Sequence, residues 1–253
     1  MRRADKILIG VGVLFVGFVA YAAIHAPRPE PALEHTQTAA APTSISANEL
    51  VVASGGLPTP QRDIVAIRAL LQAHEVGTFI GEILASRDSN IARWPDRRDH
   101  AVKVWIEEHS PLAGPERQLP AEVRRAFADW GAAGVPLTFT FIGDSAPAEV
   151  HVTFVDHFNE AISGLTKWKR DFNWWIVGGD IQVSLNSGSG RPLNNEQIYA
   201  IALHEIGHLL GLNHTSDTTA IMAPRVGVLQ LSQLDINTMR LIYELPPGTV
   251  KKP

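Results

Sequence analysis

The sequence predicts an α+β fold, and three observations carry that expectation. Apolar residues alternate with polar ones in short stretches, as at Val102, Val104 and Ile106, which is the period of a half-buried strand. Elsewhere they recur at helical spacing, as do Val123, Phe127 and Trp130, and later Ile236, Met239, Ile242 and Tyr243. The third is the run Ala202 to His214, A-L-H-E-I-G-H-L-L-G-L-N-H, in which His204 and His208 stand four apart and so share one helix face. With 253 residues and 45% hydrophobic content, the chain can bury one substantial core and a small appendage.

Taken in order, residues 1–6 form a basic flank (Arg2, Arg3, Lys6) ahead of an uncharged apolar run, Ile7 to Ile24. That length lies between a signal-peptide core and a membrane span, and the flank favours a cytoplasmic N-terminus. The expectation is a transmembrane signal anchor that leaves the rest outside the cytoplasm as a single-pass membrane protein. Cleavage near Ala20-Tyr21-Ala22 would instead give a secreted protein. Residues 25–60, with Pro27, Pro29, Pro31 and Pro42, read as a linker too poor in apolar surface to fold. Residues 61–98 carry Ile64, Ile67 and Leu71 and, across Gly77, Phe79, Ile80, Ile83 and Leu84, so one interrupted helix or two short ones are expected. This segment is either a structural extension or an inhibitory prosegment. In the second case an aspartate such as Asp63, Asp88 or Asp96 would face the functional site.

The main domain is expected over 99–248. A strand spans Ala101 to Glu107; Pro120 opens a helix that Gly131 and Gly134 end; Leu137 to Ile142 and Val150 to Val155 are strands. Gly164 to Trp168, Trp174 to Val177 and Ile181 to Leu185 read as short strands, with Gly178-Gly179 as a turn. The cluster Trp168, Phe172, Trp174 and Trp175 is core or a rim for substrate, with core favoured for most of it. Asn194 and Gln197 are placed to cap the histidine-bearing helix, and Ser232 with Asp235 the last one. Pro246 and Pro247 end that helix.

Chemistry is concentrated in the histidine run. His204 and His208 on one face offer half of a tetrahedral zinc site, and Gly211 falls where a left-handed residue can turn the chain so that His214 adds a third nitrogen. Three protein ligands leave a fourth position for water, the pattern of a catalytic rather than structural zinc. Glu205, beside the first ligand but off its face, is placed to act as general base on a metal-activated water. Cysteine is absent, which excludes disulfides and thiolate zinc sites. The net charge of −4 carries no basic block outside the N-terminus, so nucleic acid is not an expected partner.

The spacing HExxHxxGxxH resembles that of the metzincin metallopeptidases, over about residues 100–245. Thr215 after the third histidine, and Pro224 two past Met222, look most like the matrixins. The resemblance implies a zincin-type catalytic domain with a twisted mixed sheet and a long zinc-binding helix. It also implies a methionine turn, Ala220 to Pro224, whose Met222 packs beneath the metal. One sheet edge above the cleft would receive an extended peptide. Arg225 to Leu229 would wall the pocket for the residue after the cleaved bond, with Val226, Val228 and Leu229 making it hydrophobic.

Departures are informative as well. Thr215 stands where matrixins usually have serine, and latency through a cysteine is impossible here. The HxD pair of a second, structural zinc is absent, so His151 and His157 are expected at the surface, like His74, His100 and His109. A Ca2+ site near Asp180 lacks an acidic loop signature. The expected function is a zinc-dependent endopeptidase with one Zn2+, acting on extracytoplasmic peptides or proteins. Alternatives are a module that binds peptides or matrix with little turnover, and a zinc amidase of cell-wall peptides. The sequence does not specify the oligomeric state.

Overall fold

The computed structural model describes residues 49–250 apart from 54, 109 and 111–117. The basic flank, the Ile7 to Ile24 run and most of the Pro/Ala-rich stretch therefore lie outside the described residues, as do the expectations placed on them. Among those described, no helix is long and apolar enough to cross a membrane.

The elements follow one another as β1 (Glu49–Val51), α1 (Ile64–Ala73), α2 (Ile80–Ser86), β2 (Asn90–Ile91), β3 (Arg97–Ile106), α3 (Leu119–Ala132), β4 (Leu137–Phe141), β5 (Val150–Val155), β6 (Gly164–Arg170), β7 (Ile176–Ser184), α4 (Asn195–Leu209), α5 (Gln233–Glu244) and β8 (Gly248–Thr249). Strand order in the six-stranded sheet is β1-β6-β7-β5-β3-β4. β3 is parallel to β4 and β5, and β5 is parallel to β7, whereas β6 returns antiparallel to β7. The mixed, mostly parallel sheet is thus observed, with one hairpin supplying the antiparallel pair.

Alternation in β5 is complete, with Val150, Val152 and Phe154 buried and the residues between them partly exposed. Those side chains belong to one core cluster with Val102, Val104, Ile181 and Val183 and with Phe127, Trp130, Ile198, Ile201 and Leu209 of α3 and α4. Buried apolar surface on this scale is the main favourable term in folding. It also anchors α4 on three sides, which matters because α4 carries the histidines.

The region after Pro60 forms two helices separated by Gly77, the second of the two arrangements that its spacing allows. Asp63 caps α1 by accepting from the Val65 and Ala66 N–H groups. Asp96 pairs with Arg98. Neither carboxylate is held ready for the histidines.

Two differences from the sequence reading have physical causes. Gly178-Gly179 makes no turn: both lie inside the nine-residue β7. A Cβ at Gly179 would stand 2.6 Å from Leu209 Cδ1, and one at Gly178 2.9 Å from the Glu149 carbonyl oxygen, so the glycines mark close approach. The turn lies earlier, where buried Asp171 accepts from the Asn173 and Trp175 N–H groups. Trp168 and Trp175 are buried, while Phe172 at that turn is 73% exposed. Finally, the sheet edge is not open along all of β6. β1 pairs parallel with Trp168 to Arg170, and Glu49 forms an ion pair with Arg170, so the Pro/Ala-rich stretch contains a strand. The Pro58 carbonyl accepts from Trp175 Nε1 at 2.9 Å.

Candidate metal centre

α4 begins with a capping box: Asn194 Oδ1 accepts from the Gln197 N–H at 2.8 Å, and Gln197 Oε1 accepts from the Asn194 N–H at 3.0 Å. Its other end must dispose of orphan carbonyls, and each is accounted for. Gly211 has φ +102°, a conformation open to glycine, and the Gly211 and Leu212 N–H groups donate to the His208 and Gly207 carbonyls. This is a Schellman ending. Trp94 Nε1 donates to the Leu209 carbonyl and Tyr243 Oη to that of Leu210. Arg87 takes those of Gly211 and Leu212. The chain reverses so tightly that a Cβ on residue 211 would lie 2.2 Å from the Ala92 carbonyl oxygen.

That reversal brings the three imidazoles together. The Nε2 atoms of His204 and His208 are 3.1 Å apart, and His214 Nε2 is 3.2 Å from each. Among the described residues, these three are the one group of three or more His, Cys, Asp or Glu side chains close enough together to hold a metal ion. Hydrogen bonding between the rings does not explain the spacing. His204 Nδ1 stands 2.6 Å from the Ile221 carbonyl oxygen and His208 Nδ1 3.2 Å from that of Leu212, so both rings carry their proton on Nδ1 and aim an Nε2 lone pair inward. Two lone pairs at such range repel unless a cation lies between them. A tetrahedral zinc with bonds of about 2.0–2.1 Å holds its nitrogens roughly 3.3–3.4 Å apart, close to what is seen. Burial lowers the His214 pKa to about 4, which keeps that imidazole neutral, as a ligand must be. The donor set therefore fits zinc.

Glu205 is 2% exposed and faces β6. Its Oε2 accepts from Thr166 Oγ1 at 2.6 Å, and its Oε1 occupies space that a Cβ on Gly164 would fill at 2.4 Å. Burial pushes the carboxyl up to about 8, and the Thr166 hydrogen bond opposes that rise. Thr166 drew no notice in the sequence, since a threonine on the predicted strand Gly164 to Trp168 carries no local signal of a partner 39 residues away.

Met222 is fully buried beneath α4. The turn that bears it is gripped by Asp235, whose Oδ2 accepts from the Ile221 N–H at 2.9 Å and whose Oδ1 accepts from the Met222 N–H at 3.3 Å. The Met222 carbonyl in turn accepts from the Thr215 N–H, next to His214. Sequence reasoning saw Asp235 as a helix cap; the structure gives it both duties. A Cβ on Gly207 would stand 2.3 Å from Met222 Sδ and 3.1 Å from Trp130 Cζ2. Gly207→Ala is therefore expected to cost about 1–3 kcal/mol by overpacking. Denaturant unfolding of the zinc-free protein measures this, and an unchanged midpoint would mean that Met222 swings aside freely.

Of the residues expected to wall a pocket, Val226 is buried and Leu229 is 49% exposed. His151 Nδ1 lies 3.3 Å from Asp180 and its Nε2 2.9 Å from the Ser145 carbonyl oxygen, while His157 pairs with Asp156. None of these joins the three-histidine group. His74 and His100 are exposed, and His109 lies outside the described residues.

Comparison with known proteins fits this geometry. Residues 93–244 match the model of the matrixin family. Interstitial collagenase of Equus caballus is 32% identical over 148 residues, which cover 54% of this chain and 30% of the collagenase. Metalloendoproteinase 1 of Glycine max is 33% identical over 110 residues, 42% of this chain and 33% of that protein. Matrix metalloproteinase-15 of Homo sapiens is 28% identical over 165 residues, 58% of this chain and 21% of that protein. The chain spans 30% or so of the length of the collagenases that it matches.

Proposed function

Since the chain belongs to the matrixin family, we propose that it is a zinc-dependent endopeptidase in which His204, His208 and His214 hold one ion and Glu205 is the general base. The convergence of three Nε2 atoms within 3.2 Å, two of them with tautomers fixed by backbone carbonyls, carries this reading. When bound, zinc polarises the scissile carbonyl, lowers the pKa of water toward about 7 and stabilises the developing oxyanion.

The chain's own groups supply the rest. Glu205 takes the proton of the attacking water and later delivers it to the leaving amine. Thr166 donates to Oε2, which leaves Oε1 as the proton-carrying atom. A carboxyl whose pKa burial has raised is suited to that exchange near neutrality. Substrate lies extended along Gly164 to Lys167, the part of β6 that β1 leaves unpaired among the described residues. Val226, Val228 and Leu229 favour an apolar residue after the cleaved bond. Met222 supports the ligands from below without touching substrate. Action outside the cytoplasm, after export led by the Ile7 to Ile24 run, completes the proposal.

Metal removal tests it. The purified chain is expected to cleave casein, to lose that activity in excess chelator, and to regain it with one equivalent of zinc. Cleavage undiminished by chelator, or a zinc-loaded protein that cuts nothing in a generic peptide library, would sink the endopeptidase reading.

A further inference from the structure

The third imidazole does not sit on the helix. Its place depends on whatever holds residues 211–216, and much of that support comes from one short element far away in sequence. Glu82 of α2 spans the turn: Oε1 accepts from Thr215 Oγ1 at 2.8 Å and Oε2 accepts from the Ser216 N–H at 2.8 Å. Ser86 Oγ accepts from Asn213 Nδ2 at 2.7 Å. Directly after the helix, Arg87 donates from Nη1 to the Gly211 carbonyl at 2.6 Å and from Nη2 to that of Leu212 at 3.0 Å.

Arg87 does two things at once. A planar guanidinium can satisfy two carbonyls in fixed geometry, and a cation is favoured at the carbonyl end of a helix. Its guanidinium also lies 5.1 Å from the centroid of the Trp168 ring, which ties the turn to β6. Moreover, the Leu212 carbonyl that it holds is the one that fixes the His208 tautomer. One side chain thus bears on two of the three imidazoles. α2 and Arg87 lie before residue 93, where the match to the family model begins, so this support comes from outside the matched domain.

We propose that Glu82 and Arg87 are positioning residues of the metal centre. They fix the 211–216 turn so that His214 Nε2 and the carbonyl orienting His208 are in register with His204 before an ion arrives. It follows that α2 is a permanent part of the working domain and is not shed to activate it. This rests on the three histidines being the zinc ligands.

The test uses the full chain and reads metal binding rather than turnover. Zinc affinity is measured by competition with a chromophoric chelator for wild type, Arg87→Met, Arg87→Lys and Glu82→Gln, alongside the visible spectrum of each Co2+-loaded protein. Loss of an outer contact to metal ligands typically costs about 10–100-fold in affinity. Arg87→Met is expected to fall in that range with an altered cobalt spectrum, and Arg87→Lys, which keeps the charge but loses the fork, to recover part of it. Glu82→Gln, which turns one acceptor into a donor, should lose about 10-fold. Affinities and spectra equal to wild type would overturn the proposal even if the zinc-free proteins melt earlier. Should Arg87→Met fail to fold, the milder Glu82→Gln decides by the same criterion. A His214→Ala variant that bound zinc as tightly as wild type would instead defeat the ligand assignment beneath it. Mass spectrometry of the active form should place its N-terminus before Ile80; a form starting beyond Arg87 with undiminished zinc affinity would also overturn it.

Discussion

Glu205→Gln is expected to keep one zinc per chain and to lower kcat/KM by about 10²–10⁴-fold, the usual worth of a positioned general base. The amide has nearly the volume of the carboxylate, and this matters in a site where Oε1 already fills the space beside Gly164. Thr166 can still donate to the amide oxygen, so the rotamer should survive. What disappears is the capacity to accept and return a proton. Fold and metal retained with chemistry lost is therefore the distinguishing pattern. Initial rates on a quenched peptide, with bound zinc measured on the same sample, give the answer, and a variant within a few fold of wild type would remove Glu205 from the mechanism. The same result bears on the binding-module alternative, which has no use for a base: a wild type as slow as the glutamine variant would favour it.

The metal centre is legible in the sequence because its parts are local. His204, His208 and His214 fall within eleven residues, and helix periodicity together with one glycine turn is enough to bring them to a point. Both capping boxes were legible for the same reason, since each spans four residues. The support around the centre was not, because its contacts join residues distant in sequence: Arg87 to Gly211, Glu82 to Thr215 and Thr166 to Glu205. Polar side chains in a short helix or strand carry no signal of such partners. The glycine pair in β7 misled for a different reason. Glycine serves both turns and close approach, and only the positions of Leu209 and the Glu149 carbonyl distinguish the two. β1 was hidden because three residues, Glu49 to Val51, are too few to show a period. The parallel run β3, β5 and β7 was foreseen only as strands, since strand order depends on crossovers and is not written in any one of them.

The largest expected loss of stability follows from Asp235→Ala. This carboxylate is fully buried and accepts four hydrogen bonds, from the Ile221 and Met222 N–H groups and from the N–H and hydroxyl of Ser232. Alanine leaves those donors facing a small void. Each buried donor left without a partner costs about 1–3 kcal/mol, and partial relaxation of the turn brings the expected total to about 3–5 kcal/mol. Asp235→Asn supplies the contrast. With its oxygen in place of Oδ2 it can keep the three bonds made there, and its NH2 faces only the Met222 N–H, which already lies at the long distance of 3.3 Å. The expected order of stability is aspartate, asparagine, alanine, with asparagine nearer to the wild type. Urea unfolding of the zinc-free proteins separates the three, and an alanine variant within about 1 kcal/mol of wild type would contradict the carboxylate's role. Zinc should then widen the gap. The turn that Asp235 holds presents the Ile221 carbonyl to His204 Nδ1 at 2.6 Å, so a loosened turn also loosens the first ligand. A bound ion stabilises only to the extent that the native state grips it better than the unfolded one. The zinc-dependent rise in Tm is accordingly expected to shrink in Asp235→Ala, a result that links the helix cap to the metal through one backbone carbonyl.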